Sequence, residues 1–161
     1  MLLENPKIIN SNDDLASLVT SARNRKQTVV FTNGCFDIIH PGHIFILEQA
    51  KAKGDILIVG LNSDSSIKNF KSSDRPICKQ DDRAYVLAGL TCVDHIIIFD
   101  EDTPEKLIID ITPDILVKGK DYEDKEIAGS KHMIDNNKKI ELVDIIEGKS
   151  TSHIIKNIQK N

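Results

Sequence analysis

Short apolar runs alternate with stretches of helical spacing along nearly the whole chain, and this alternation most restricts the fold. The run Ile56–Leu61 is uniformly apolar, as a strand covered on both faces should be. Thr28-Val29-Val30-Phe31-Thr32 reads as a second buried strand from its β-branched content, stopped by Asn33-Gly34. Further strands are expected over His95–Phe99, Ile115–Lys118 and Ile140–Val143. Helices are expected over His43–Lys53, Asp81–Leu90, Pro104–Ile111, Ile127–Asn136 and Ser152–Gln159. An earlier helix over residues 11–25 opens with Ser11-Asn12-Asp13-Asp14, close to a capping box, and sets Leu15, Leu18, Val19 and Ala22 at helical spacing. Strand, helix, strand, repeated, implies an α/β fold: a parallel sheet of about five strands with helices on both faces. Only Lys68–Lys79, polar, basic and interrupted by Pro76, lacks a core pattern and reads as a surface loop.

At 161 residues the chain is one domain's worth, with residues 1–26 as a helical lead-in and 27–158 as the core. Lysine plus arginine total 21 against 25 acidic residues, a net charge of −4, which disfavours bulk binding of nucleic acid. No apolar run approaches the roughly 20 residues of a membrane-spanning helix. Met1-Leu2-Leu3-Glu4-Asn5-Pro6 lacks the basic and apolar regions of a signal peptide. Cys35, Cys78 and Cys92 are odd in number and form no CxxC pair, which fits free thiols in the cytoplasm.

Ligands of open α/β sheets bind beyond the carboxyl ends of the strands. The first long strand runs into Asn33-Gly34-Cys35-Phe36-Asp37-Ile38-Ile39-His40-Pro41-Gly42-His43. Gly34 is expected to make a tight turn, and Gly42 to let a polyphosphate approach a helix N-terminus. His40 and His43 flank that entry. A bare pair of this kind is as often a metal pair or two incidental surface histidines as a phosphate site, and zinc needs more ligands than the neighbourhood supplies. The turn before them and the helix after them favour phosphate. Near the C-terminus, Ser150-Thr151-Ser152 opens a helix, a run that by itself is most often an N-cap.

Gly34-Cys35-Phe36-Asp37 through His40-Pro41-Gly42-His43 resembles the HxGH signature of the nucleotidylyltransferase superfamily, and Gly148-Lys149-Ser150-Thr151-Ser152-His153-Ile154-Ile155 resembles its second, hydroxyl-rich element. An ordered set narrows the likeness: Val59–Asp64, Arg75-Pro76, Asp81-Asp82-Arg83, Asp100–Pro104, Leu116–Tyr122 and Ile127–Ser130. Together these are similar to the bacterial D-glycero-β-D-manno-heptose 1-phosphate adenylyltransferases over roughly residues 27–158. Lys120 departs from the glycine expected in that stretch.

The resemblance implies a Rossmann-like nucleotidylyltransferase fold and transfer of AMP from ATP to heptose 1-phosphate, releasing pyrophosphate. It also implies Mg²⁺ held chiefly by phosphates, small-molecule partners only, and a homodimer. Because the attacking phosphate is already an anion, catalysis reduces to positioning and charge neutralisation. His40 and His43 are expected as cationic or hydrogen-bonding donors, with Lys118 as a third catalytic group. Nucleotide contacts are expected from Asn33, Gly34, Cys35, Phe36, Gly42, Asn62, Asp64, Lys118, Ser150, Thr151 and Ser152. Sugar-phosphate contacts are expected from Asp37, Arg75, Arg83, Asp121 and Tyr122, and Lys68 and Lys71 are weighed as either loop cations closing on phosphate or solvated side chains. The alternatives are a cytidylyltransferase of the glycerol 3-phosphate type and a nucleotide-binding module without turnover.

Overall fold

The computed structural model describes residues 4–72 and 74–160; Met1 to Leu3 of the start and Ser73 of the expected loop lie outside them. In chain order the elements are β1 (Ile8–Ile9), α1 (Asn12–Asn24), β2 (Val29–Gly34), α2 (Pro41–Lys51), β3 (Ile56–Asn62), α3 (Asp64–Phe70) and α4 (Gln80–Ala88). Then follow β4 (His95–Phe99), α5 (Glu105–Ile111), β5 (Ile115–Gly119), a 3₁₀ turn (Lys120–Tyr122), α6 (Ser130–Asp135), β6 (Lys139–Val143) and α7 (Thr151–Gln159).

The strands form one all-parallel sheet in the order β1-β4-β3-β2-β5-β6. Side-chain alternation sorts the strand residues into two cores. Val30, Leu57, Val59, Leu61, Ile96 and Val117 face α2 and α4, where Leu47, Ala50, Ala84 and Leu87 cover them. Val29, Phe31, Ile58, Ile97 and Leu116 face α1, α5 and α6 through Leu15, Val19, Ile108, Ile111 and Met133. Helices on both faces explain why β3 had to be apolar throughout: every one of Leu57 to Leu61 is buried. The expected α/β class is therefore the fold.

Three differences from the sequence reading matter. The sheet has a sixth strand, β1, whose two residues are too few to carry a periodicity. Lys68 belongs to α3, a helix whose buried residues are only Ser66 and Ile67 and which therefore carries little apolar pattern. Gly34 is not a turn: it ends β2 in register with Leu61. The chain reverses at Phe36 and Ile38, with φ of 46° and 50°. A left-handed Ile38 is rare for a β-branched residue, and such strain concentrates at functional sites. A Cβ on Gly34 would lie 3.2 Å from the Phe36 ring, so a side chain there would press on that ring.

Candidate active site

Chain order and sheet order part company between β2 and β5. Strands β3 and β4 build outward on one side of β2, and β5 and β6 on the other. Helices leaving β2 and β5 in opposite directions open a crevice beyond their carboxyl ends. There lies a cleft of about 440 Å³. Asn33, Gly34, Cys35, Phe36 and Asp37 of the β2 exit line it, with His40, Gly42 and His43 of α2. Lys118, Asp121 and Tyr122 come from β5 and its 3₁₀ turn, Arg75 from the 71–79 loop, and Ser150, Thr151 and Ser152 from the start of α7.

His40 is the N-cap of α2, and its Nδ1 accepts the Gly42 N–H at 3.1 Å. An accepting Nδ1 leaves the ring proton on Nε2, so His40 is a neutral donor at that atom. His43 stacks on it, ring centroids 3.8 Å apart and planes 25° apart, and meets the Phe36 ring at 5.2 Å. Burial, with the neighbouring His40 adding to it, pushes the His43 pKa down to about 4. Burial also lowers that of His40. Of the two expected forms, cation or hydrogen-bond donor, His43 is therefore the donor, and burial moves His40 in the same direction. The Nδ1 of His43 is buried with no hydrogen-bond partner among the described residues.

Gly42 is required for packing. A Cβ there would sit 2.9 Å from the Lys149 carbonyl and 3.0 Å from the His40 ring, so packing alone asks for glycine at this cleft-lining position. The Lys149 carbonyl, just before α7, therefore lies beside the start of α2. Ser150 caps α7 through the His153 N–H at 3.2 Å. Thr151 and Ser152 occupy its first turn, where unpaired helix-start N–H groups favour an anion.

On the β5 side, Lys118 is buried, donates to Asn33 Oδ1 and lies 4.9 Å from the centre of the Tyr122 ring. Burial lowers its pKa to about 8, against a smaller opposing effect of Asp121. Burial raises the Tyr122 phenol. It also raises the Cys35 thiol despite the nearby Lys71, Arg83 and Arg75, so Cys35 is no thiolate nucleophile.

Three expected site residues are not brought to the cleft. Arg83, its side chain 1 % exposed, donates to the carbonyls of Cys78, Cys35 and Asn62 and pairs with Asp64 at 2.8 Å. With that pairing Asp64 is spent, and the Asn62 amide donates to Ser66. These groups brace the ends of β2 and β3 beneath the site. Asp37 does reach the cleft, but both carboxylate oxygens face the loop: Oδ1 accepts from Cys78 N–H, Oδ2 from Ile77 N–H and Arg75 Nε. Burial alone would raise its pKa. The Cys78 and Ile77 amides and the Arg75 guanidinium outweigh that and hold it below the ordinary carboxylate value.

Lys71 lines the cleft, while Lys68 does not, and Lys120 pairs with Asp144 at 2.5 Å on the surface. The sequence reading assigned no role to Thr32, Ile46, Gly119, Ile145, Ile146 and Lys149, which also line it. Only Lys149 had a visible signal, a cation set directly before the three hydroxyls. The lining cations are Lys71, Arg75, Lys118 and Lys149; the carboxylates are Asp37, already paired, and Asp121. A basic cleft in a chain of net charge −4 is built for a polyanion. Among the described residues no group of three or more His, Cys, Asp or Glu side chains could hold a metal.

Comparison with known proteins agrees with this geometry. The chain is 51 % identical over 156 residues to the bifunctional protein HldE of Wolinella succinogenes, covering 97 % of this chain and 32 % of that protein. It is 52 % identical over 155 residues to the bifunctional protein HldE of Helicobacter pylori strain Shi470, covering 96 % of this chain and 32 % of the relative. The chain thus spans about a third of the length of the curated relatives it matches. A lipopolysaccharide core biosynthesis protein from Thermoplasma volcanium, known from its crystal structure, superposes with a TM-score of 0.60 at 30 % identity, covering 74 % of this chain and 97 % of that one. The cytidylyltransferase-like family matches residues 31–157, a span that runs from β2 through both histidines to α7. With the family's match embracing every element that lines the cleft, the chain belongs to the cytidylyltransferase-like family.

Proposed function

We propose that this domain transfers AMP from ATP to D-glycero-β-D-manno-heptose 1-phosphate, giving ADP-heptose and pyrophosphate. The observation that carries the nucleotidyl transfer is the stacked His40–His43 pair, neutral and donor-bearing, in one cleft with the hydroxyl-rich start of α7 and four cations. An oxygen of the sugar phosphate attacks the α-phosphorus as the bond to pyrophosphate breaks. Charge grows on the α-phosphoryl oxygens and the leaving group, where His40 Nε2–H, His43, Lys118 and the α7 start stabilise it. Arg75 and Lys71 suit the incoming phosphate, and Tyr122 with Asp121 the sugar side.

Mg²⁺ belongs to this proposal as an ion that arrives on the nucleotide and neutralises its phosphates. The donor set fits that role: cations and N–H groups dominate, and the only carboxylate free of the loop, Asp121, leaves the ion to phosphate oxygens and water. A heptose acceptor is supported by the resemblance around Lys118–Tyr122 and by the solved relative's naming as a lipopolysaccharide core biosynthesis protein. A homodimer is supported by the same resemblance, and a cytoplasmic location by the three free, unpaired cysteines. No helix among the described residues is long and apolar enough to cross a membrane.

Pyrophosphate release measured with ATP and CTP against a panel of sugar and polyol phosphates tests the assignment. Turnover with ATP and heptose 1-phosphate is expected. Turnover with CTP and glycerol 3-phosphate instead would transfer the site to the cytidylyl reaction, and ATP binding without turnover on any acceptor would make the domain a binding module. Sedimentation of the purified chain reads the oligomer.

A further inference from the structure

Asp37 sits between two walls of the cleft, the 75–78 segment and the start of α7, and bonds to both. Its carboxylate, 1 % exposed, holds the 75–78 segment through Arg75 Nε (2.9 Å), Ile77 N–H (2.8 Å) and Cys78 N–H (2.9 Å). Its backbone carbonyl accepts the Thr151 hydroxyl at the start of α7. The residue itself is gripped between Phe36 and Ile38, both left-handed, so a shift of its carbonyl and a shift of its carboxylate are parts of one backbone movement. Packed, strained segments of this kind have few alternative arrangements. Arg75 gives only its Nε to Asp37, and its terminal amino groups have no hydrogen-bond partner among the described residues while the side chain lines the cleft.

From this geometry we infer that Asp37 is a positioning residue that couples nucleotide binding at the α7 start to the readiness of Arg75 for the acceptor phosphate. A triphosphate engaging Ser150–Ser152 fixes Thr151, Thr151 fixes the Asp37 carbonyl, and the Asp37 carboxylate then holds the Arg75 fork and the 77–78 backbone in place. Occupation of one half of the cleft thereby preorganises the other, and linkage makes the effect reciprocal: acceptor must tighten ATP by the factor by which ATP tightens acceptor. Asp37 touches neither substrate in this account. The inference rests on the nucleotidyl-transfer reading above.

The test uses Asp37→Asn and Thr151→Val, with ATP alone as the first probe. In the parent chain, ATP without acceptor is expected to slow amide hydrogen exchange at Ile77 and Cys78. Saturating ATP is also expected to lower the KM for sugar phosphate by about fivefold or more, within the usual range of coupling between sites. Thr151→Val removes one hydroxyl at a helix start and leaves the loop bonds intact, so it keeps the test decisive if Asp37→Asn folds poorly. Asp37→Asn should bind ATP about as the parent does and Thr151→Val more weakly by calorimetry, and at ATP concentrations that saturate each variant both should lose the protection at 77–78 and the dependence of acceptor KM on ATP. If both effects persist in Thr151→Val, the coupling does not run through Asp37 and the inference falls. If the parent chain binds no ATP at all, the functional reading fails first and takes the inference with it, an outcome the calorimetry identifies separately.

Discussion

His40 and His43 are stacked with ring centroids 3.8 Å apart, and the His40 Nδ1, by accepting the Gly42 N–H, leaves Nε2 as that ring's donor. Two imidazoles so close cannot both ionise cheaply, and the His43 pKa near 4 records burial first and that neighbour second.

His43→Ala should therefore act on the transition state. Removing one preorganised donor costs roughly 10²–10³ in turnover, with ATP affinity changed far less. Single-turnover kinetics beside calorimetric binding separates the two, and a rate loss under about threefold would remove His43 from catalysis.

Lys118 sets an alkaline limit. With a pKa lowered to about 8 by burial, it is charged at pH 7 and loses its proton as pH rises through 8. ATP affinity should fall across pH 7.5 to 9. The sign for folding is opposite: the unfolded chain binds the proton more tightly, so deprotonation between about 8 and the ordinary lysine value of 10.5 relieves a buried charge and adds stability. Lys118→Met should weaken ATP at pH 7 and abolish the alkaline fall in binding, both read by titration calorimetry.

Gly42→Ala should loosen the junction of α2 and α7. The added methyl meets a carbonyl 2.9 Å away and the His40 ring, and overpacking of that kind costs about 1–3 kcal/mol. Thermal melting should report the loss, and activity should fall further than stability because the His40 ring must move.

Arg83→Lys should behave as a fold mutation. A lysine cannot reproduce the fork that serves three carbonyls and Asp64, and stranding buried partners costs roughly 3–5 kcal/mol. Urea denaturation should show that loss. Protein stabilised by cold or osmolyte should keep the KM values of the parent, since Arg83 reaches no part of the cleft.

Reading the chain alone placed most of the architecture because burial writes itself locally. A strand covered on both faces, such as Ile56–Asn62, has to be apolar at every step, and a helix on the sheet has to repeat Leu47 and Ala50 or Leu107, Ile108 and Ile111. The histidines and the Ser150–Ser152 run were visible for a similar reason, since a phosphate clamp needs donors at fixed offsets beside a helix start. Pairings across the chain were not visible. Arg75 and Arg83 flank the same loop with the same charge, yet one lines the cleft and the other is sealed beneath it. What separates them is where the carbonyls of Cys35, Asn62 and Cys78 converge, which depends on three segments meeting in space. Asp37 carried an acceptor's chemistry in sequence, but the 75–78 backbone claims both its oxygens only once the loop folds over β2. Gly34 and Gly42 were legible as glycines with a purpose, and the purpose, clearance for Phe36, His40 and Lys149, exists only in the packed state. Local periodicity follows from which side chains must leave water, and so it is written in one dimension. The partner of a buried charge depends on distances between residues far apart in the chain, and only the tertiary structure sets them.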